Sequence, residues 1–149
     1  MIEFVGRLIA REKGPFIYVI RKGPYLYIGE TQRNPILRWG EHLRIEGSFQ
    51  KALQSRDEEF LLKDVEMEFF AYRCTRIENE VLAVEKRKIT QIVEHELHVK
   101  FVCRGKNTFE LISDTTKTAP TGSRYKWINE IVDEIYDEFH TKAMCRTFF

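Results

Sequence analysis

Two tyrosines, an arginine, a histidine and a glutamate carry the chemistry open to this chain. Tyr18 and Tyr27 lie in FIYVIRKGPYLYIGE, residues 16–30, where two short apolar runs flank a Gly-Pro hinge. A strand places alternate residues on one face, so Phe16, Tyr18 and Ile20 share a side, as do Tyr25, Tyr27 and Gly29. A hairpin closing around Lys22-Gly23, or around a wider loop with Ile20 opposite Tyr25, sets Tyr18 directly across from Tyr27. Two such phenols can face a common group, though a tyrosine pair on a sheet is commonly plain packing.

Arg38 and His42, in RWGEH, are four residues apart and therefore stack on one helix face. The apolar stripe Ile36, Trp39 and Leu43 lies to one side of them, so the pair is expected on the shoulder of the helix, at the edge of a cleft. Glu85 is the third signal. In a helix counted from Ile77 it falls near about 80°, mid-stripe among Val81, Leu82, Val84, Ile89, Ile92 and Val93. An ionised carboxylate there is costly unless a cation, a metal or hydrogen-bond donors meet it.

These groups need elements to hold them. PFIYVI and YLYIG are β-branched and aromatic runs joined by a turn, which predicts a β-hairpin. Asn34-Pro35 supplies a cap and a first-turn proline for a helix running through Leu53, with Gly40 and Gly47 as its weak points. VEMEFFAYR, 65–73, alternates as a third strand; 77–97 is a second helix, and 98–105 is expected as one more short strand. RYKWINEIVDEIYDEF places Ile128, Ile131, Val132, Ile135 and Phe139 at helical spacing. The order strand-strand-helix-strand-helix predicts an α/β (α+β) sandwich of helices on an antiparallel or mixed sheet. Its domain is expected over 1–112, the Thr/Ser/Pro/Gly-rich stretch 113–123 is a linker, and 124–149 is a C-terminal helix and tail packed on the same domain.

Bulk properties narrow the class. A chain of 149 residues suits one domain with a real core. No apolar run nears the roughly 18 residues of a membrane span. Three scattered cysteines argue against a disulfide framework, and with a charged start they suggest a cytoplasmic protein. His95, His98 and Cys103 lack a fourth ligand at zinc-like spacing. Residues 1–56 hold 10 Lys and Arg against 5 Asp and Glu; the remainder holds 14 against 18. A basic N-terminal half is compatible with a phosphate-bearing partner.

FIY at 16–18, YIG at 27–29, RWGEH at 38–42 and VEKRKI at 84–89 follow the order of the GIY-YIG nuclease family, which the chain resembles over roughly residues 15–97. Phe16 stands where that family has glycine, and Asn107 is the nearest counterpart of its asparagine. The resemblance implies a small three-stranded, largely antiparallel sheet flanked by helices. It also implies a DNA endonuclease using Mg²⁺ or Mn²⁺. Glu85 would ligate the metal, Arg38 would clamp the scissile phosphate, and Tyr18 would deprotonate or orient the attacking water with Tyr27 and His42 around it. Arg33, Arg44, Lys51, Lys100, Arg104 and Lys106 would then be phosphate contacts, and a homodimer is possible. The rival readings are an inactive nucleic-acid-binding module of the same fold and a protein-interaction domain using the acidic C-terminal helix.

Overall fold

The computed structural model describes residues 3–4, 13–44, 46–63, 66–103, 109–113 and 125–145. The apolar runs pair as expected, into strands β2 (Phe16–Lys22) and β3 (Tyr25–Thr31). Their turn lies one residue beyond the predicted Lys22-Gly23 closure and is tighter than the wider loop. Gly23 takes φ +57° and Lys22 pairs directly with Tyr25, so only Gly23-Pro24 is left to turn the chain. Glycine at the first turn position suits a two-residue hairpin. The register therefore moves by two residues: Tyr18 faces Gly29, and Tyr27 faces Ile20. Because the shift is even, both tyrosines keep one face and become diagonal neighbours.

The sheet also exceeds the three strands expected. β2 lies between β3 and β4 (Met67–Arg73), all antiparallel, in the overall order β1-β4-β2-β3-β5. The edge strands β1 (Glu3–Phe4) and β5 (Glu110–Leu111) have two residues each, too short for a periodic signal, and β5 runs parallel to β3. The result is an α+β protein with a mixed sheet.

Helices cover both faces. On the tyrosine face, Tyr18, Ile20 and Tyr25 pack with Phe49 and Leu53, flanked by Trp39 and Phe60. These come from α1 (Pro35–Leu43), α2 (Ser48–Arg56) and α3 (Glu58–Leu62). The single helix expected to run to residue 53 is thus two. A Cβ at Gly47 would lie 2.3 Å from the Glu41 carbonyl oxygen, so the sharp junction there requires glycine. On the other face, Ile17, Val19, Leu26 and Ile28 meet α4 (Thr75–Glu80), α5 (Lys86–Cys103) and α6 (Ile128–Cys145).

The second predicted helix also divides. Residues 81–85 form a turn, and α5 begins at Lys86 and runs to Cys103. The strand expected from residue 98 is its last two turns. Ile89, Val93, Leu97 and Phe101 form one buried row four residues apart, and this continuing stripe outweighs the local strand preference of HVKFV. Ile128, Ile131, Val132, Ile135 and Phe139 of α6 are buried as the periodicity requires. Among the described residues, no helix is long and apolar enough to cross a membrane.

Candidate functional site

Local sequence and packing bring four of the five predicted side chains together. The cap of α1 is as expected: Asn34 Oδ1 accepts from the Ile36 amide at 3.0 Å, with Pro35 at the first position. The helix is nevertheless rotated from its predicted setting. Ile36 and Leu43, expected to face inward, are 52% and 53% exposed, while His42 is 1% exposed. The imidazole fills the space between the tyrosines, its ring centre 5.5 Å from that of Tyr18 and 4.8 Å from that of Tyr27. Specific polar contacts, rather than apolar area alone, set the helix face.

Those contacts fix the tautomer of His42. The Phe49 amide can only donate, so Nδ1, at 3.3 Å, is the acceptor. Nε2 then carries the hydrogen and donates to Tyr18 Oη at 2.8 Å. The Arg38 guanidinium lies beside the Tyr18 hydroxyl, close enough for its charge to act on the phenol. The layer beneath is Gly29, directly across the strand pair, where a Cβ would come within 2.2 Å of Tyr18 Oη. Tyr18 is held on three sides.

Electrostatics follow from this burial. Desolvation pushes the Tyr18 phenol well above its usual range, and the opposing Arg38 charge does not cancel it. Burial, then the Arg38 charge, lowers the His42 pKa from 6.5 to about 4, against a smaller contrary effect from Glu41. Both groups are therefore neutral at pH 7. The sign for stability is direct: below pH 6.5 the unfolded imidazole takes up a proton that the folded one refuses. Stability present above 6.5 is lost as pH falls toward 4, with a slope of at most about 1.4 kcal/mol per pH unit. Urea melts at pH 7.5, 5.5 and 4.5 are expected to show a steeper loss for wild type than for His42→Gln; parallel loss would contradict the buried neutral imidazole.

Arg38 is the solvent-reaching end of this chain, its side chain 31% exposed. It also pairs with Glu41, which accepts from Arg33 at 2.9 Å as well. Beside them lies an open depression of about 270 Å³, lined by Arg38, Glu41, His42, Arg44, Glu46, Gly47 and Ser48. Such an arrangement presents a cation of fixed orientation at the surface, suited to a bidentate anion.

Glu85 is not the mid-stripe carboxylate of the sequence reading. It closes the turn before α5, its carbonyl accepting from the Ile89 amide at 3.0 Å, while neighbouring Leu82 and Val84 are 70% and 91% exposed. No helix runs through residues 81–85, so the expected apolar stripe does not form there. The helix that follows is nonetheless anchored close to Gly29. Gln32 Nε2 donates to Thr90 Oγ1 at 3.1 Å, and Arg87 lies 3.9 Å from Glu30. Glu30 was missed by pattern reading. Its Oε2 is buried without a hydrogen-bond partner among the described residues. Only the packing of α5 on the strand end reveals it.

The basic residues divide. Arg44 and Lys51 are exposed, Arg44 at the end of α1 and Lys51 on α2. Lys100 is otherwise engaged: it pairs with Asp133 of α6 and lies 4.9 Å from the Tyr136 ring, its side chain 12% exposed. That position packs α5 against α6. Arg104, Lys106 and Asn107 lie outside the described residues.

No family model, curated protein or solved structure matches this chain.

Proposed function

We propose that this chain is a divalent-metal-dependent endonuclease of GIY-YIG type, hydrolysing phosphodiester bonds in DNA. One observation carries the reading: Tyr18, Tyr27, Arg38 and His42, widely spaced in sequence, converge around one hydroxyl, with the glycine of YIG beneath it. Arg38 holds a phosphate by two parallel hydrogen bonds. Tyr18, buried and neutral, orients Arg38 and is not the base. In this reading Tyr27, the less buried phenol, holds water near the clamped group.

The donor chemistry suits a hard cation. Glu85 and Glu30 belong to the corner where α5 begins against the end of β3, and Glu30 Oε2 is an unpartnered carboxylate oxygen. Among the described residues no three His, Cys, Asp or Glu side chains form a metal group. Mg²⁺ accepts one or two carboxylates and keeps waters for the rest. Bound there, it would supply Lewis-acid stabilisation of charge on the leaving oxygen.

The second reading, a nucleic-acid-binding module without turnover, is favoured by the burial of Tyr18 and by the Glu41 carboxylate on Arg38. Supercoiled plasmid with Mg²⁺, Mn²⁺ or EDTA separates the two. Metal-dependent nicking is expected from wild type and is expected to fall at least about 10²-fold in Glu85→Ala. Salt-dependent binding without nicking under any metal would instead establish the binding module.

A further inference from the structure

Arg33 comes from the connection between β3 and α1, and Arg38 from the second turn of α1, yet both point at one carboxylate. Glu41 Oε1 accepts from Arg33 Nη2 at 2.9 Å, and Oε2 accepts from Arg38 Nη1. The two oxygens of one group thus meet two guanidinium ions, as two non-bridging oxygens of a phosphate would. We propose that Arg33 and Arg38 form a single seat for a phosphate group, and that Glu41 is its built-in occupant, which the incoming phosphate must displace.

Four features support this assignment. The exchange is easy: the Arg33 and Glu41 side chains are 55% and 40% exposed, and ion pairs this open to water are individually weak. The exchange has room, because the depression beside Glu41 is also lined by Arg44 and Ser48, which can meet further oxygens of a tetrahedral anion. Arg38 is partly buried beside the Tyr18 hydroxyl, so releasing Glu41 leaves the guanidinium against that neighbour. Glu41 carries a depressed pKa, chiefly from its hydrogen bond with Arg33, and so stays ionised at neutral pH.

The consequence is selectivity. A lone weak anion gains nothing by replacing a carboxylate that is already tethered. A phosphate in a chain, held in addition by Arg44, does. The identity of the biological anion rests on the nuclease reading, whereas the seat itself does not.

The test therefore uses inorganic phosphate first, titrated at constant ionic strength and followed by thermal shift and ³¹P line width. Glu41→Gln is expected to bind phosphate about three- to tenfold more tightly than wild type, the scale of losing two exposed competing ion pairs. Glu46→Gln changes net charge equally from the same depression and is expected to leave affinity near wild type. Adding Arg33→Ala to Glu41→Gln is expected to remove the gain. Equal affinity in Glu41→Gln and wild type, an equal gain in Glu46→Gln, or a gain that survives Arg33→Ala would each overturn the seat. Circular dichroism checks folding, and Glu41→Ser supplies a second neutral variant. Should Glu41→Gln gain phosphate affinity while no variant nicks plasmid with Mg²⁺, the seat stands and the nuclease reading falls.

Discussion

Gly29→Ala is expected to destabilise the protein by about 3 kcal/mol and to abolish plasmid nicking. The new Cβ would lie 2.2 Å from Tyr18 Oη and 2.3 Å from Cζ, far inside van der Waals contact. Backbone strain is not the cause, since Gly29 is not among the glycines at positive φ. The clash is with a ring that cannot withdraw. Tyr18 is 1% exposed, bonded to His42, set beside Arg38, and packed against the Phe49 side of the core. Either the strand pair separates or the phenol leaves His42, and the second outcome also releases Arg38. Urea denaturation and nicking assays measure the two consequences separately. In a Tyr18→Val background the same methyl is expected to cost much less, giving a coupling of about 2 kcal/mol. A Gly29→Ala protein within about 0.5 kcal/mol of wild type would show that the Tyr18–Gly29 layer does not organise the site.

Arg38→Lys carries the largest effect on activity alone. Nicking is expected to fall about 10²- to 10³-fold, the scale seen when a preorganised donor to developing charge is removed, while stability changes by less than about 1 kcal/mol. Lysine keeps the charge but has no planar fork. It cannot present paired N–H groups to one phosphate. Only partial burial and an exposed partner, Glu41, attend the group, so the fold loses little. Single-turnover rates at saturating plasmid, with melting temperatures alongside, make the comparison. Wild-type rates in Arg38→Lys would mean that charge alone suffices there and that the clamp is not bidentate.

Much of this arrangement was legible in residue order. The runs around Tyr18 and Tyr27 could only be strands, because β-branched and aromatic residues with a Gly-Pro break leave little else. Asn34-Pro35 marked the start of α1, and the spacing in α6 marked its buried face, since both are local properties of three to eleven residues. The common face of Tyr18 and Tyr27 survived a register error because alternation has a period of two. Patterns failed where distant groups decide. Whether α1 buries Ile36 and Leu43 or His42 depends on an amide, Phe49 N–H, from another helix, and on a phenol from a strand. The turn at 81–85, which moved Glu85 off its predicted stripe, and the extension of α5 to Cys103 follow from how α4, α5 and α6 share one core.

The sequence by itself therefore determined which residue types are present, the hairpin, the capped first helix and the amphipathic last one, all through short-range periodicity and turn chemistry. Tertiary structure alone decided that Tyr18 lies over Gly29, that His42 is neutral with its hydrogen on Nε2, and that Arg33 and Arg38 meet on Glu41. Each of these depends on groups that are remote in the chain and touch only after the sheet and helices pack, where burial and partner geometry outweigh local preference.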